Sequence, residues 1–205
     1  MLRMKRYLLI AGLCLGATFT FAQKNSIGPF VGINSSWISD YGGDGGDVRN
    51  LIGLNAGLKY TYSNYVRFGL GADLAFSQEG VIVKNGGIST KTTLNYVRIP
   101  LKVYYFFNNL ENPFRPKVYL GPSLGFMTKA KVKSAGVTTD VTDFIQNFDL
   151  GIQVGTGFNY KFAPRSWFTF DLNYTHGLSN IVKAESTTSH YNRSVGVTMG
   201  LAWGF

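Results

Sequence analysis

The stretch Ser194-Val195-Gly196-Val197-Thr198-Met199-Gly200-Leu201-Ala202-Trp203-Gly204-Phe205 decides the fold. Its odd positions, Val195, Val197, Met199, Leu201, Trp203 and Phe205, are all apolar, and its even positions are all Ser, Gly, Thr or Ala. Alternation with period 2 over this length predicts a β-strand with two chemically different faces. A half-buried soluble strand sets polar side chains against large apolar ones. Here the second face is small, which suits a crowded interior better than a solvated surface.

Working backward, the chain from Gln23 resolves into eight such segments. Ile27 to Trp37 sets Ile27, Val31 and Ile33 against Gly28, Phe30 and Asn34. Leu51 to Tyr62 sets Leu54, Leu58 and Tyr60 against Gly57 and Lys59, and Phe68 to Phe76 sets Leu70 and Leu74 against Gly71 and Asp73. Lys91 to Phe107 carries Val97, Ile99 and Leu101 opposite Tyr96, Arg98, Lys102 and Tyr104, with Pro100 predicting a bulge or kink because it removes a ladder donor. Val118 to Phe126, Phe148 to Phe162 and Trp167 to Tyr174 complete the set before the closing strand. Polar loops are expected at Ser39–Asn50, Gln78–Thr90, Thr128–Asn147 and Ser179–Tyr191, and short connections at Ser63–Tyr65, Asn108–Pro116 and Ala163–Arg165.

Two regularities settle the class. Long and short connections alternate, as expected when both termini and the short turns share one side of a membrane. The charged strand residues Lys59, Asp73, Arg98, Lys102, Asp149 and Asp171 fall on the Gly-rich face, not beside Leu and Phe. A soluble sandwich or lipocalin requires the reverse. The pattern therefore predicts an all-β fold, an eight-stranded antiparallel up-and-down transmembrane β-barrel, apolar outside and polar inside. Tyr60, Tyr62, Phe107, Phe162, Trp203 and Phe205 would form one aromatic girdle, and Trp37, Phe76, Phe126, Phe148 and Tyr174 the other.

Gly32-Ile33-Asn34-Ser35-Ser36, Tyr96-Val97-Arg98-Ile99-Pro100-Leu101-Lys102 and Tyr119-Leu120-Gly121-Pro122-Ser123 resemble the PorT-like outer-membrane β-barrel family of Bacteroidetes. Asp149-Leu150-Gly151, Gly155-Thr156-Gly157 and Tyr174-Thr175-His176-Gly177-Leu178-Ser179-Asn180-Ile181 extend the resemblance over nearly the whole chain after Ala22. Arg98 departs from it, since family members often carry an acidic residue there. The resemblance implies the bacterial outer membrane and, by way of PorT itself, an association with secretion and gliding machinery. The closing strand likewise resembles that of other outer-membrane barrels, which implies that Phe205 belongs to the signal read by the barrel-assembly machinery.

Residues 1–22 read as a signal peptide: Arg3, Lys5 and Arg6, an apolar core from Tyr7 to Leu15, and Thr20-Phe21-Ala22 as cleavage site. That leaves residues 23–205 as one barrel domain. The single cysteine, Cys14, lies in the leader, and Leu13 before it is unsuited to lipoprotein processing, so no disulfide or thiolate metal site is expected. Without Arg3, Lys5 and Arg6 the chain keeps 17 basic against 11 acidic residues. No basic run exceeds the Lys129, Lys131, Lys133 alternation, which excludes nucleic acid and offers point charges to lipopolysaccharide phosphates. Gly42-Gly43-Asp44-Gly45-Gly46-Asp47 reads as a flexible loop, since a calcium-binding β-roll needs stacked copies.

Catalysis has only His176 and His190 to draw on, beside loop residues such as Ser179, Ser186, Ser189, Asp140 and Asp143. No catalytic residue, cofactor or metal is assigned. The sequence points to a non-enzymatic barrel acting through external loops or as an accessory to an envelope or secretion complex. A narrow small-solute or ion pore is the first alternative, and an enzyme with its active site on the loop rim the second. Eight strands leave an interior just wide enough for side chains. Setting Ser77 opposite Leu94 places Asp73 opposite Arg98, with Lys102 deeper and Asp171 across the barrel. Asp73, Arg98, Lys102 and Asp171 are thus expected as one lumenal polar network.

Overall fold

The computed structural model describes residues 25–39, 46–64, 66–183 and 189–205. The signal peptide, its cleavage site and Cys14, most of the Gly42–Asp47 loop, Tyr65 and Ser186 lie outside the described residues. Nine strands follow in order: β1 (Asn25–Ile38), β2 (Asp47–Ser63), β3 (Phe68–Asn85), β4 (Ile88–Phe106), β5 (Phe114–Ser134), β6 (Val137–Asp140), β7 (Phe148–Ala163), β8 (Ser166–Gly177) and β9 (Asn192–Gly204). Eight of them close into a ring, with each neighbour antiparallel; β6 only pairs on the outer end of β5. The ring closes between β1 and β9, from Ile27 opposite Trp203 to Ile38 opposite Asn192. Closure leaves no edge, so the ladder satisfies the backbone groups that lipid cannot.

The faces are inverted as the alternation predicts. Ile33, Leu58, Leu70, Leu74, Val103, Leu120 and Met199 point outward and are exposed, while Lys59, Asp73, Arg98, Lys102, Asp149 and Asp171 are buried inside. Phe76, Phe126 and Phe148 form an outward aromatic row towards the long-loop end, with the Phe126 and Phe148 rings 5.5 Å apart. Tyr60, Tyr62, Phe107, Phe162 and Trp203 face outward near the short turns. Phe205 closes the chain with its N–H donating to Asn25 O at 2.9 Å.

Two sequence expectations need correction. First, Gln78–Thr90 and Thr128–Asn147 are not simple loops. β3 and β4 run on to Asn85 and Ile88 and turn through Gly86-Gly87, both at positive φ (55° and 84°). Two glycines in this conformation make the tight turn whose twist matches that of paired strands. Ala135-Gly136 does the same between β5 and β6. Second, Pro100 causes no shift: Ala72 opposite Leu101 and Ala75 opposite Arg98 share one register on either side of it. The irregularity in β4 lies instead between Asn95 and Tyr96, against β5.

At the loop end, inward residues form an apolar cluster of Ile38, Val81, Leu94, Tyr96, Ala130 and Ile181, joined by Val141 and Ile145. Each fully buried aliphatic of this kind contributes about 1.5–3 kcal/mol, enough to hold loop segments down. Backbone bonds add to it: Gln146 N–H donates to Ile181 O at 2.8 Å, and Ser39 N–H to Tyr191 O at 2.9 Å. Outside the barrel wall, the Thr142 hydroxyl and N–H hold the Asp140 carboxyl below its ordinary range. At the turn end Leu110, from the β4–β5 connection, packs with Trp167 and Ala202.

Candidate functional site

The buried charges between these two apolar layers fall into two groups. The loop-end group is built on Arg98. Its Nε donates to Glu79 Oε1 at 2.5 Å and its Nη2 to Glu79 Oε2 at 2.7 Å, a two-pronged contact. Nη2 also reaches Asp149 Oδ2 at 2.6 Å. Both carboxylates are held in turn. Ser77 Oγ donates to Glu79 Oε1 at 2.7 Å, Asn192 Nδ2 donates to Glu79 Oε2, and Ser179 Oγ donates to Asp149 Oδ1 at 2.9 Å. Asn34 Nδ2 donates to Ser77 Oγ at 2.7 Å, which ties β1 into the set. The guanidinium lies over the Tyr96 ring, 4.8 Å from its centroid. Gly125 makes room for it, because a Cβ there would sit 2.8 Å from Arg98 Nη1.

The turn-end group is built on two aspartates. Asp73 pairs with Lys102, and Asp171 pairs with both Lys59 and Lys117, the latter at 2.8 Å. Lys117 Nζ also donates to Asn159 Oδ1 at 2.8 Å. Tyr104, Phe106 and Tyr119 fill the space around them, with Lys102 over Tyr119 and Lys117 over Tyr104. Gly155 is the counterpart of Gly125, since a Cβ there would lie 2.3 Å from the Tyr119 ring. Arg115 sits lowest, over Phe106 at 3.9 Å, donating from Nη2 to Ser63 Oγ at 3.0 Å and from Nε to Asn108 O at 3.2 Å.

Of the four residues expected as one network, Asp73, Lys102 and Asp171 stay together in the turn-end group and Arg98 leaves it. All four are buried in the lumen, but Arg98 turns to Glu79 and Asp149, and Asp73 takes Lys102. Asp171 goes to Lys59 and Lys117. The register of β3 on β4 differs from the expected one by two residues. Ser77 stands opposite Tyr96, not Leu94, which puts Arg98 opposite Ala75 and removes it from the position facing Asp73. Parity is unchanged by a shift of two, so the same side chains face inward while their partners change. Glu79, Arg115 and Lys117 join the lumenal charges: Glu79 because β3 continues through the expected loop, Arg115 because β5 begins inside the expected connection, and Lys117 by the inward parity it shares with Tyr119 and Gly121.

Two of the rim candidates for catalysis have partners in the fold. His176 Nδ1 lies 2.9 Å from Tyr174 Oη, and Ser179 Oγ serves Asp149 and the Leu150 N–H. Asp47, in the stretch compared with a calcium loop, begins β2 and pairs with Arg49 at 2.8 Å. Among the described residues, no group of three or more His, Cys, Asp or Glu is placed to hold a metal ion.

Above the aromatic row, β5 turns Lys129, Lys131 and Lys133 outward, and Lys91 of β4 stands directly opposite Lys133. Lys129 has an exposed partner in Asp140 at 3.6 Å.

Residues 21–183 match the family described as outer membrane protein beta-barrel domain. The chain is similar in fold to OprG of Pseudomonas aeruginosa, at 17% identity over 90% of this chain and 96% of that one, with a TM-score of 0.61. Neisserial surface protein A gives 16% identity over 89% and 97%, with a TM-score of 0.58. The N-terminal barrel domain of Pseudomonas aeruginosa OprF gives 14% over 89% and 98%, with a TM-score of 0.50. At such identities the likeness is one of fold alone. No curated protein matches the chain in sequence.

Proposed function

The chain belongs to the outer membrane protein β-barrel domain family and resides in the bacterial outer membrane, and we propose that it works there as a non-enzymatic barrel with a plugged polar lumen. Its external loops, or its docking to an envelope or secretion complex, carry the activity. One observation supports the plug above the rest. Arg98 is clasped by Glu79 and Asp149 between the apolar cluster above and the aromatic and lysine group below. Among the described residues, two lumenal cavities hold about 20 Å³ each, room for roughly one water apiece.

Membership of the PorT-like branch in Bacteroidetes is part of this reading, resting on the stretches around Pro100 and Gly121. Phe205 is read as part of the assembly signal for the barrel-assembly machinery. The outward lysines Lys91, Lys129, Lys131 and Lys133 suit outer-leaflet lipid and lipopolysaccharide phosphates, because like charges set opposite one another in a sheet are unfavourable without a counter-ion. The rim-enzyme alternative is disfavoured because the Ser179 hydroxyl donates to Asp149 and His176 Nδ1 is taken by the Tyr174 hydroxyl, so these two candidates do not form a nucleophile–base pair.

Liposome swelling with small sugars tests the plug: vesicles carrying the barrel should swell no faster than empty ones. A pull-down from outer membranes with the intact barrel, against one whose Ser179–Tyr191 loop is shortened, tests the loops. A partner retained equally by both would remove that loop from the reading.

A further inference from the structure

The cavity at the turn end is lined by three cations, Lys59, Arg115 and Lys117, and by no carboxylate. Hydroxyls of Ser63, Thr61 and Thr169 supply the neighbouring polar surface. Behind the wall, Asp171 is shared by Lys59 and Lys117, and Asp73 is taken by Lys102. Nothing balances Arg115. It is 2% exposed, its bonded partners Ser63 Oγ and Asn108 O are neutral, and no carboxylate lies within 4 Å of it among the described residues.

This half of the lumen thus sets Lys59, Lys102, Lys117 and Arg115 against Asp73 and Asp171 alone. A buried ion without counter-charge is costly. The Phe106 face beneath Arg115 offsets part of that cost without supplying a counter-ion. The loop-end cavity differs in kind, because Glu79 and Asp73 are among its walls.

We propose that the turn-end cavity binds one small monovalent anion of the halide class, held by Arg115 and Lys117 with the Ser63 hydroxyl. Size selects that class. A space of about 20 Å³ is on the scale of one water-sized particle, closer to a halide than to the larger phosphate or sulfate. The site goes beyond the plugged-lumen reading, since it concerns which ion completes the charge and not whether the barrel conducts.

The test compares the folded barrel in sodium bromide and in sodium gluconate at equal ionic strength, following thermal unfolding by the change in gel mobility. Bromide should raise the midpoint by several degrees. Ser63→Asp places a fixed carboxylate beside Arg115, so it should fold, keep its stability in gluconate and lose the bromide effect. If that variant does not fold, Arg115→Gln serves, again with the bromide effect gone. Crystals soaked in bromide should show an anomalous peak touching Arg115 and Lys117. Equal midpoints in both salts, a bromide effect that survives Ser63→Asp or Arg115→Gln, or peaks confined to the outer surface as an adventitious ion only, would overturn the site. Swelling measured on the same preparation reports separately on the plug.

Discussion

The two halves of the lumen solve the burial of charge in opposite ways. At the loop end one arginine has two carboxylates, each with further donors from Ser77, Asn192 or Ser179. At the turn end four cations share two aspartates and lean on aromatic rings. The contrast separates charge that is compensated by geometry from charge that is merely enclosed. The first is costly to disturb, because removing one member strands another in a medium of low polarity. The second loses little when its unpaired cation, Arg115, goes.

The sharpest way to break this contrast is Glu79→Gln. Arg98 would keep only Asp149, and breaking a buried pair costs about 3–5 kcal/mol, read as a fall in the urea midpoint of the refolded barrel. Next comes the lipid face. Leu172 is outward on β8 while Asn173 is inward and buried, so Leu172→Arg should cost about 2–4 kcal/mol. A variant that assembles and resists heat like wild type would contradict the assignment of faces. Third is the device that sets the register around Arg98. Gly87→Val forces a branched side chain into positive φ, at about 1–2 kcal/mol, measured by the same unfolding assay. The smallest effect belongs to Arg115→Gln in a halide-free buffer, within about 0.5 kcal/mol of wild type or slightly stabilising, since it removes an unbalanced charge. A loss as large as that of Glu79→Gln would erase the difference between the halves.

The faces were legible in the sequence because a β-strand has period 2 and lipid inverts its polarity. Lys59, Asp73, Arg98, Lys102, Asp149 and Asp171 all lie inside for that reason. Partners were not legible in the same way. They depend on register, and register at Arg98 is set by Gly86-Gly87, twelve residues earlier in the chain. Read as a hairpin turn, those glycines would have carried β3 and β4 upward, brought Glu79 inward and put Arg98 opposite Ala75. The apolar cluster around Leu94, Val81 and Ile181 was hidden differently. Its members are scattered singly among polar residues, and only the paired strands collect them on one side.

The central claim, that the paired charges close the lumen, is tested most directly by single-channel recording in planar bilayers. Wild-type barrel, inserted and folded by gel mobility, should give no steps above the bare-membrane baseline in either direction of applied voltage. Regular ohmic steps from the folded wild type, unchanged when the salt is exchanged for another of equal conductivity, would show an open path past Arg98, Glu79 and Asp149 and contradict the account.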